Sequence, residues 1–446
     1  MIESKPQSNV VVVGLGYVGL TLAIHLAEKE LEVQGVEIRK NVLDKLTKGE
    51  STFWEPNLNS LIEKNLLLGR FTVGFEIESQ DIPRVFIITV GTPLYGEKLI
   101  NMEPLKRATK EVSRAINNGD LVLLRSTVGV GSTREFVKPI LDSTGKKFYL
   151  AFAPERTLEG TALLELNHLP QIIGGIDEAS LEVASKFFES IDTKVIKVSN
   201  SETAEMIKLV DNMQRDSRFA ISNEVASMCN LNSQIRAREV ILKGKIDYPR
   251  TDLHLPGPVG GPCLEKDPYI LVESMYGRGF KDSLSISARQ TNFSVIPRGL
   301  SSMLELIEKR KLKNPKISLL GMAFKGQPRT DDLRGSSSIQ IIEFLRKEMS
   351  NCQIKVWDPL VQPSDLMHLT VDHYLSIAET IVGADLVVFV TNHQELNEID
   401  INELSKKLNT SAVLYDFLDR FEIAHPLPNG VTYFGWGNMT NKACEG

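Results

Sequence analysis

The chain has 446 residues, which at the usual domain size is enough for about three domains. Its hydrophobic fraction of 42% and charged fraction of 24% are ordinary for a globular protein, and they exclude a disordered chain, a collagen and a disulfide scaffold. The 51 basic and 57 acidic residues give a net charge of −6, which argues against nucleic-acid binding through bulk charge.

The sequence predicts neither a membrane protein nor a secreted one. No apolar run approaches the roughly 18 residues that cross a bilayer. Glu3 and Lys5 precede an apolar stretch of only four valines, which is too short for a secretory signal. The four cysteines, of which Cys444 is the last, form no Cys-x-x-Cys motif. They predict reduced thiols in a cytoplasmic protein.

Short β-branched runs alternate with helical stretches from about residue 9 to residue 198. Continuous apolar runs separated by helices are typical of a parallel sheet covered on both faces. The predicted strands are Val10–Val13, Glu32–Val36, Arg84–Val90, Leu121–Leu124 and Gln171–Gly174.

The first strand leads into a glycine motif, Gly14-Leu15-Gly16-Tyr17-Val18-Gly19, and then into a helical stretch. Gly14 permits a tight turn, Gly16 lets a pyrophosphate approach the backbone, and Gly19 allows close packing of helix on strand. The helix N-terminus then faces the anion. This arrangement predicts a dinucleotide site, and the alternative is a glycine turn with no ligand.

The end of the next apolar run indicates which dinucleotide binds. Glu37 lies there, where a carboxylate accepts a hydrogen bond from the ribose 2′-hydroxyl and repels a 2′-phosphate. The sequence therefore favours NAD as cofactor, while Arg39 and Lys40 keep NADP as the alternative.

Two more turns follow strands, Val90-Gly91-Thr92-Pro93 and Arg125-Ser126-Thr127-Val128. Ligands of α/β folds bind at the carboxyl ends of parallel strands, so Thr92 and Thr127 are candidates for the same site. Ordinary turns without a ligand are the alternative.

A long helix is predicted in the middle of the chain, because no Gly or Pro occurs between Thr193 and Lys243. Ser199 and Glu202 form a capping-box signature at its start, and the helix should run for about 30 residues. We expect both of its faces to be buried, in a domain bridge or a dimer interface. Its apolar positions are Met206, Val210, Met213, Ile221, Val225 and Met228.

Two groups of residues suggest reaction chemistry. Lys208 and Asn212 share one face of the long helix, where an ammonium and an amide would stabilise an oxyanion, unless both are simply solvated. Glu155 and Glu159 lie four apart in Ala153–Gly160 and could serve as a general base and its partner, or form a solvated helix start.

The most informative segment is Gly257-Pro258-Val259-Gly260-Gly261-Pro262-Cys263-Leu264-Glu265-Lys266-Asp267. Its glycines and prolines predict an irregular loop in which a ligand lies against the backbone. Lys266 would lower the pKa of the Cys263 thiol and favour the thiolate. The alternative is an inert, apolar cysteine.

A second α/β region begins near Lys316. Its predicted strands are Lys316–Leu320, Gln353–Trp357, Leu386–Thr391 and Ala412–Asp416, and its first helix is Ser336–Lys347. The predicted fold is therefore α/β, with two Rossmann-like parallel-sheet domains joined by a long central helix and a helical dimerisation region. The expected domains are residues 1–198, 199–300 and 301–446.

Taken in chain order, seven motifs resemble those of the UDP-glucose/GDP-mannose dehydrogenase family. They are Gly14–Gly19, Val90–Pro93, Ser126–Val128, Pro154–Arg156, the helix with Lys208 and Asn212, Gly260–Asp267 and Ala323–Gly326. The resemblance implies a four-electron oxidation of the C6 alcohol of a UDP-sugar to a carboxylate with two NAD, for surface polysaccharide synthesis. It also implies a homodimer formed through the central helix.

The resemblance implies roles for individual residues as well. Cys263 would form a thiohemiacetal and then a thioester with the substrate. Lys208 and Asn212 would stabilise the negative oxygen, and Asp267 would position water. Glu155, Glu159 and Thr127 would manage protons and water, and either glutamate could be the base.

The implied binding residues fall into two sets, and no metal is expected. The cofactor set is Gly14, Gly16, Tyr17, Val18, Gly19, Glu37, Thr92, Thr127, Lys266 and Arg334. The substrate set is Lys208, Asn212, Arg250, Gly260, Gly261 and Lys325, with Arg250 the residue lent across a dimer. The family's Asp-x-Arg after the last strand is absent, since Asp416 is followed by Phe417 and Leu418 and Arg420 comes later. The resemblance therefore leaves open which residue of this chain makes that nucleotide contact.

The expected substrate is UDP-N-acetyl-D-mannosamine, since His393 replaces a tryptophan that is usual in members acting on UDP-glucose. The Thr391–His393 turn, Lys325 and loop glycines that leave room for the sugar are expected to form its site. UDP-N-acetylglucosamine, UDP-N-acetylgalactosamine and UDP-glucose are the alternatives within the family. Outside it, a two-electron hydroxyacid dehydrogenase would need no nucleophilic cysteine, and a non-catalytic NAD-binding dimer would need no intact set of reactive residues.

Overall fold

The computed structural model describes residues 9–78, 80, 82–96, 98–232, 234–280, 283–312, 314–349, 351–374 and 376–438. The features drawn above from Glu3, Lys5 and Cys444 lie outside these residues. Contacts divide the chain into two compact units, one from Met1–Asn212 and Tyr269–Lys281 and the other from Met213–Pro268 and Asp282–Gly446. The predicted central region is shared between them, and the division into three domains stays a prediction.

The first unit contains an eight-stranded sheet in the order β10-β9-β8-β7-β4-β1-β2-β3. Neighbouring strands are parallel except β8 and β9, which pair antiparallel. A separate two-stranded hairpin is formed by β5 and β6. The strands are β1 Asn9–Val13, β2 Val33–Val36, β3 Phe71–Gly74, β4 Arg84–Ile88, β5 Leu94–Tyr95, β6 Leu99–Ile100, β7 Leu121–Leu124, β8 Tyr149–Phe152, β9 Gln171–Gly175 and β10 Val195–Lys197.

Helices lie along the sequence between these strands, as continuous apolar strand runs require. The four valines Val10–Val13 are at most 5% exposed, so β1 is buried on both faces. The helices are α1 Tyr17–Glu28, α2 Lys40–Leu46, α3 Leu58–Leu67, α4 Glu103–Ala115, α5 Lys138–Asp142, α6 Ala162–Glu165 and α7 Glu178–Glu189, with a π-helical turn at Thr133–Val137. The predicted α/β sheet is confirmed.

The long helix, α8, spans Ser201–Cys229, and its 29 residues agree with the predicted length of about 30. Its predicted cap is wrong: the Asn200 side chain accepts the backbone N–H of Thr203, whereas the Ser199 hydroxyl bonds to the Thr203 hydroxyl. One of its faces is exposed in the single chain, and three large apolar residues lie on it, Val210, Ile221 and Met228. Burial of this face in a dimer stays a prediction. The buried face carries polar residues, namely Glu205, Lys208, Asn212, Asp216 and Asn223.

The second unit contains a six-stranded, all-parallel sheet in the order β13-β12-β11-β14-β15-β16. Helices α9 Ala237–Gly244, α10 Asp267–Tyr276, α11 Leu284–Phe293 and α12 Val295–Lys309 precede it, and α10 continues into the first unit. The strands are β11 Lys316–Leu320, β12 Gln353–Trp357, β13 Asp372–His373, β14 Leu386–Phe389, β15 Val413–Asp416 and β16 Thr432–Gly435. The later helices are α13 Ser337–Glu348, α14 Pro363–Leu366, α15 Ile377–Ile381, α16 Gln394–Asn397 and α17 Ile401–Ser405.

Two Rossmann-like parallel sheets and a long helix between them in sequence therefore confirm the predicted fold class. In the second sheet, Ser336 caps α13 by accepting the N–H of Ile339, so the helix starts where the sequence placed it. No helix in the described part of the chain is long and apolar enough to cross a membrane.

Candidate active site

The glycine motif after β1 has the conformation that a dinucleotide requires. Gly14 has φ +95°, which favours glycine, and a Cβ on Gly19 would lie 1.8 Å from the Gly14 carbonyl oxygen. A Cβ on Gly16 would meet nothing within 4 Å, so this glycine faces open space. Gly14 and Gly19 thus serve the turn and the packing of helix on strand, while Gly16 leaves the approach that a pyrophosphate needs.

The beginning of α1 is suited to an anion. Gly16 occupies its N-cap, and no side chain caps the helix. Exposed N–H groups and the helix dipole make such an end an anion site. In the sheet, β1 lies between β2 and β4. The chain first adds β2 and β3 on one side of β1 and then continues with β4 on the other side, so the turn after β1 lies at the switch point of the sheet. The residues present fit the diphosphate of NAD.

Glu37 is positioned directly by this turn. It is 5% exposed, and one of its oxygens accepts the backbone N–H of Leu15 at 3.1 Å. Arg39 donates to the same carboxylate at 2.9 Å. Burial raises the pKa of Glu37, but the hydrogen bonds from Arg39 outweigh it and lower the pKa below its ordinary value. Glu37 is therefore an ionised acceptor beside the glycine turn, and Arg39 is paired with it.

The turns after β4 and β7 lie side by side, because these strands are parallel neighbours. The Thr92 hydroxyl donates to the Thr127 carbonyl oxygen at 2.5 Å, and the Ser126 hydroxyl donates to the Val90 carbonyl oxygen at 2.7 Å. The structure thus joins the two turns that the sequence singled out, at the carboxyl edge of the sheet where ligands bind.

The two candidate glutamates are in different environments. Glu155 is buried, forms an ion pair with Arg125 at 2.7 Å and accepts the N–H of Thr157 at 2.8 Å. Burial raises the pKa of Glu155, but Arg125 and the N–H of Thr157 hold it below its ordinary value. Glu159 is only partly buried. Of the two, Glu155 is therefore the one held firmly in its ionised form.

Lys208 and Asn212 lie on the buried face of α8, at 9% and 4% exposure, so their solvated alternative is wrong. The positive charge of Lys208 is one of the causes that lower the pKa of Glu155. On the same face, Glu205 accepts the N–H groups of Gly131 and Thr133. This face of the helix is a stripe of buried polar groups.

Buried polar residues hold the cysteine loop in place. Arg289, 4% exposed, donates to the Leu264 carbonyl oxygen at 2.9 Å and pairs with Asp216 of α8 at 3.2 Å. Asn223 of α8 exchanges two hydrogen bonds with the backbone of Gly257. The loop is therefore anchored at both ends to the helices around it.

Within this loop, Cys263 is exposed and carries a thiol. It lies four residues before the start of α10, and its carbonyl oxygen accepts the N–H of Asp267 at 2.9 Å. The ammonium of Lys266 pairs with the buried carboxylate of Asp267 at 2.7 Å. Asp267 is thus held at the helix start by its neighbours, and Lys266 is committed to a carboxylate.

Gly260 and Gly261 are glycines for a packing reason, and the expectation that they also leave room for a sugar stays a prediction. A Cβ on Gly260 would lie 2.0 Å from the Gly335 carbonyl oxygen, and one on Gly261 would lie 2.6 Å from the Phe324 ring. Gly261 also has φ +98°. Both glycines are needed because the loop packs closely on the second sheet's own turns.

A cavity of about 490 Å³ opens in the second unit beside this loop. Its walls come from the cysteine loop and from the segments after β11, β14 and β15, at the switch point of the second sheet. Four cationic side chains line it, and no Asp or Glu does among the described residues. These cations are Arg215, Arg238, Lys325 and Arg420.

Sequence reasoning found only Lys325 among these cations. Arg420 lies against Asp416 at 3.1 Å, donates to the Thr391 carbonyl oxygen at 2.8 Å and lines the cavity. A longer turn after β15 thus brings Arg420 to the cavity, where it is a candidate for the nucleotide contact that the sequence left open. The spacing of Asp416 and Arg420 was the available signal. The rings of Phe219 and His254, stacked 4.3 Å apart, were also missed as cavity residues.

The predicted sugar-recognition turn is only partly at the cavity. Thr391 and Asn392 line it. His393 is fully buried, with its ring nitrogen 3.0 Å from Asp358, and does not line the cavity. Burial raises the pKa of Asp358, but the bonds from His393 and the backbone lower it below its ordinary value. The contribution of His393 is to hold the turn.

Of the remaining predicted contacts, Arg250 and Arg334 are at the surface, whereas Tyr17 is partly buried. Arg250 is exposed, and its guanidinium lies 4.6 Å from the centre of the Tyr248 ring. Arg334 has a side chain that is 61% exposed and pairs with Asp332 at 2.6 Å. Tyr17 turns its hydroxyl to Glu55 and to the N–H of Gly160. The roles of these three residues toward ligands stay predictions.

Comparison with known proteins gives a consistent answer along the chain. Three models of the UDP-glucose/GDP-mannose dehydrogenase family match it: the NAD binding domain at residues 8–192, the central domain at residues 202–294 and the UDP binding domain at residues 318–421.

Individual relatives agree with the family models. UDP-N-acetyl-D-mannosamine dehydrogenase of Pyrococcus horikoshii is 31% identical over 96% of this chain and 99% of its own. Its solved structure superposes with a TM-score of 0.83 at 30% identity, over 96% of this chain and 99% of that one. The UDP-N-acetyl-mannosamine dehydrogenase structure from Staphylococcus aureus gives a TM-score of 0.81 at 29% identity, with coverage of 97% and 98%. NDP-N-acetyl-D-galactosaminuronic acid dehydrogenase of Ralstonia nicotianae is 29% identical over 89% of this chain and 93% of its own.

Proposed function

The chain belongs to the UDP-glucose/GDP-mannose dehydrogenase family, and on that basis we propose that it oxidises the C6 alcohol of UDP-N-acetyl-D-mannosamine to the carboxylate. It is an NAD-dependent oxidoreductase with the family's NAD-binding and UDP-binding domains. The product, a nucleotide-linked uronate, would be a precursor of surface polysaccharide made in the cytoplasm.

The observation that carries the proposal is the charge of the cavity beside the loop that contains Cys263. A UDP-sugar has a diphosphate with two negative charges at neutral pH, and four cations with no carboxylate among the described lining residues favour such a group. The planar guanidinium groups of Arg215, Arg238 and Arg420 suit phosphate oxygens in particular. The ring of Phe219 in the same wall suits a base.

The glycine turn, Glu37 and the joined turns at Thr92 and Thr127 would hold NAD. NAD, when bound, supplies the acceptor for the hydride that leaves the sugar C6 in each of the two oxidations. Glu37 would accept from the ribose 2′-hydroxyl, and its lowered pKa keeps it ionised for that task.

Cys263 supplies what an aldehyde lacks for a second oxidation. Its thiolate adds to the aldehyde carbon and gives a thiohemiacetal, whose oxidation leaves a thioester. Water then attacks the thioester, releasing the carboxylate and restoring the thiol. The exposed position of Cys263 on an anchored loop supports this role. Lys208 and Asn212 as oxyanion donors, and Asp267 as the residue that positions water, follow from the family resemblance.

Glu159 is the better candidate for the proton-transferring base. A general base works best when its pKa is near the operating pH, and Glu155 has a pKa that is lowered by its buried partner Arg125. Glu155 would then keep its negative charge beside Arg125, whereas Glu159, which is partly accessible, would transfer the proton.

The proposal includes a homodimer formed through α8. Val210, Ile221 and Met228 recur along one face of this helix and are 42%, 49% and 58% exposed. A stripe of exposed apolar residues on a helix of 29 residues suits a second copy of the chain. The exposed Arg250 is the residue that such a partner would receive at its site. A stable monomer at micromolar concentration in light scattering would contradict the dimer.

The test of the substrate is a panel of nucleotide sugars assayed by the appearance of NADH. We expect kcat/KM for UDP-N-acetylmannosamine to exceed that for UDP-glucose by about 100-fold, since a site that bonds the amide loses those bonds with a plain hydroxyl. Comparable turnover of UDP-glucose would overturn the choice of sugar. Preference for UDP-N-acetylgalactosamine or UDP-N-acetylglucosamine would move the substrate within the same chemistry.

A further inference from the structure

A buried carboxylate links the cofactor turn to the segment that carries Glu159, and no sequence motif pointed to it. Glu55 lies in the connection between α2 and α3 and is 6% exposed. One of its oxygens accepts the Tyr17 hydroxyl and the backbone N–H of Gly160, the latter at 2.8 Å. Its other oxygen accepts the N–H of Leu163 at 3.3 Å.

The partners of Glu55 are adjacent to the reacting parts of the first unit. Tyr17 is the first residue of α1, directly after Gly16 of the glycine turn. Gly160 directly follows Glu159 and has φ +89°. The N–H of Gly160 also donates to the Tyr17 hydroxyl at 2.7 Å, so the three groups form a closed set. The Tyr17 ring packs on Phe53 at 4.7 Å between centroids, which fixes the tyrosine from its other side.

We infer that Glu55 is a positioning residue that holds the segment carrying Glu159 against the glycine turn of the NAD site. This role rests on the proposed function. Two of its partners are backbone N–H groups, so the carboxylate fixes the path of the chain at Gly160 and Leu163, directly after Glu159. Replacing such a buried carboxylate by an amide costs free energy, because the amide NH2 group would face an N–H or O–H donor that the carboxylate oxygen accepts. Proton transfer at Glu159 depends on its distance and direction from the sugar C6, whereas ligand affinity does not.

The kinetic test compares Glu55→Gln with Glu50→Gln, a matched change at an exposed residue of the same connection. In Glu55→Gln we expect kcat to fall about 10- to 100-fold, because small misplacements of reacting groups lower the rate by such factors. KM for the nucleotide sugar and the Kd of NADH should each stay within about threefold, and the pH profile of kcat should shift. Tyr17→Phe should lower kcat in the same way, and the double variant should be little worse than Glu55→Gln alone, since the groups act as a unit.

A second measurement does not depend on turnover. Hydrogen exchange of the peptide around Gly160 and Leu163 should slow when NADH binds the wild type and the Glu50→Gln variant, but not Glu55→Gln. This readout separates the inference from the proposed function, since it needs cofactor binding alone. Equal NADH protection in Glu55→Gln, or a kcat unchanged within about threefold with the same pH profile, would overturn the positioning role. An equal loss of kcat and NADH affinity would do so as well.

Discussion

The two sheets hold the turns after β1 and β11 in a similar way, but the two turns differ in what they offer a ligand. In the first sheet, Glu37 follows β2 and accepts the N–H of Leu15 in the turn after β1. In the second sheet, Asp358 follows β12 and accepts the N–H groups of Met322 and Ala323 in the turn after β11. In both sheets a carboxylate after the second strand therefore fixes the turn after the first strand.

The difference lies in how the following helix begins. No side chain caps α1, so the start of that helix is suited to a diphosphate. In the second sheet, Ser336 caps α13 and Asp358 takes two N–H groups of the turn, so the backbone has less to offer an anion. Cationic side chains line the cavity there instead. Under the proposed function, one topology would therefore bind two phosphate groups by different means, through backbone dipoles in the first sheet and through side-chain charge in the second.

The largest expected effect separates the chemistry from the cofactor site. Cys263→Ala removes the nucleophile from the second unit, so acid formation should fall by about 1,000-fold or more. The Kd of NADH should stay within about twofold, because the glycine turn belongs to the first unit. Product analysis together with NADH titration measures both. Near-normal acid production would remove Cys263 from the mechanism.

The next effect tests the charged cavity. Arg238→Ala should raise KM for the nucleotide sugar about 10- to 100-fold, since a hydrogen bond to a charged group contributes about 1.5–3 kcal/mol. NADH affinity should be unchanged. The control is Lys347→Ala, whose side chain is 81% exposed in the same sheet domain. If both variants behave alike, the cavity does not bind the diphosphate.

A smaller effect concerns cofactor choice in the first sheet. Glu37→Ser should narrow the preference for NAD over NADP about tenfold in kcat/KM, because it removes the acceptor for the 2′-hydroxyl and the charge that repels a 2′-phosphate. Glu32→Ser, at an exposed position just before the same strand, is the control. A wild type that already prefers NADP would show that Arg39 decides instead.

The last effect concerns stability and not turnover, and it distinguishes the two buried carboxylates of α8. Asp216 pairs with the charged Arg289. Among the described residues, the donors to Glu205 are the uncharged groups of Gly131 and Thr133. Burial raises the pKa of Glu205 to about 7. The folded state then holds a proton that the unfolded state releases at lower pH. The stabilisation is complete below the unfolded pKa and is lost as the pH rises to about 7.

Glu205→Gln should therefore weaken this pH dependence. Between pH 5 and pH 8 the wild type should lose about 1–3 kcal/mol more stability than the variant. Thermal melts at the two pH values measure the difference. Parallel changes in Tm for both proteins would mean that Glu205 titrates normally.

The sequence predicted what depends on local pattern. Val10–Val13, the glycine spacing and the long run without Gly or Pro each determine an element by themselves, and the structure has those elements. The edge strands β3, β10, β13 and β16 were missed because they are only two to four residues long and carry little pattern.

The site was predicted less completely, because side chains from distant segments form it. Arg215 of α8 and Arg238 of α9 reach one cavity with Arg420, and no spacing in the sequence relates them. Likewise, Glu55 contacts Gly160 across 105 positions. Gly260 and Gly261 were predicted to make room for a ligand, and their packing against Gly335 and Phe324 could not be read from the sequence.

The central claim is that one chain carries out two oxidations, with Cys263 making the second one possible. The most direct measurement is the number of NADH molecules formed per UDP-sugar consumed, with the uronate identified as the product. We expect two NADH per sugar and no accumulated aldehyde. A ratio of one, with aldehyde as the final product, would contradict it.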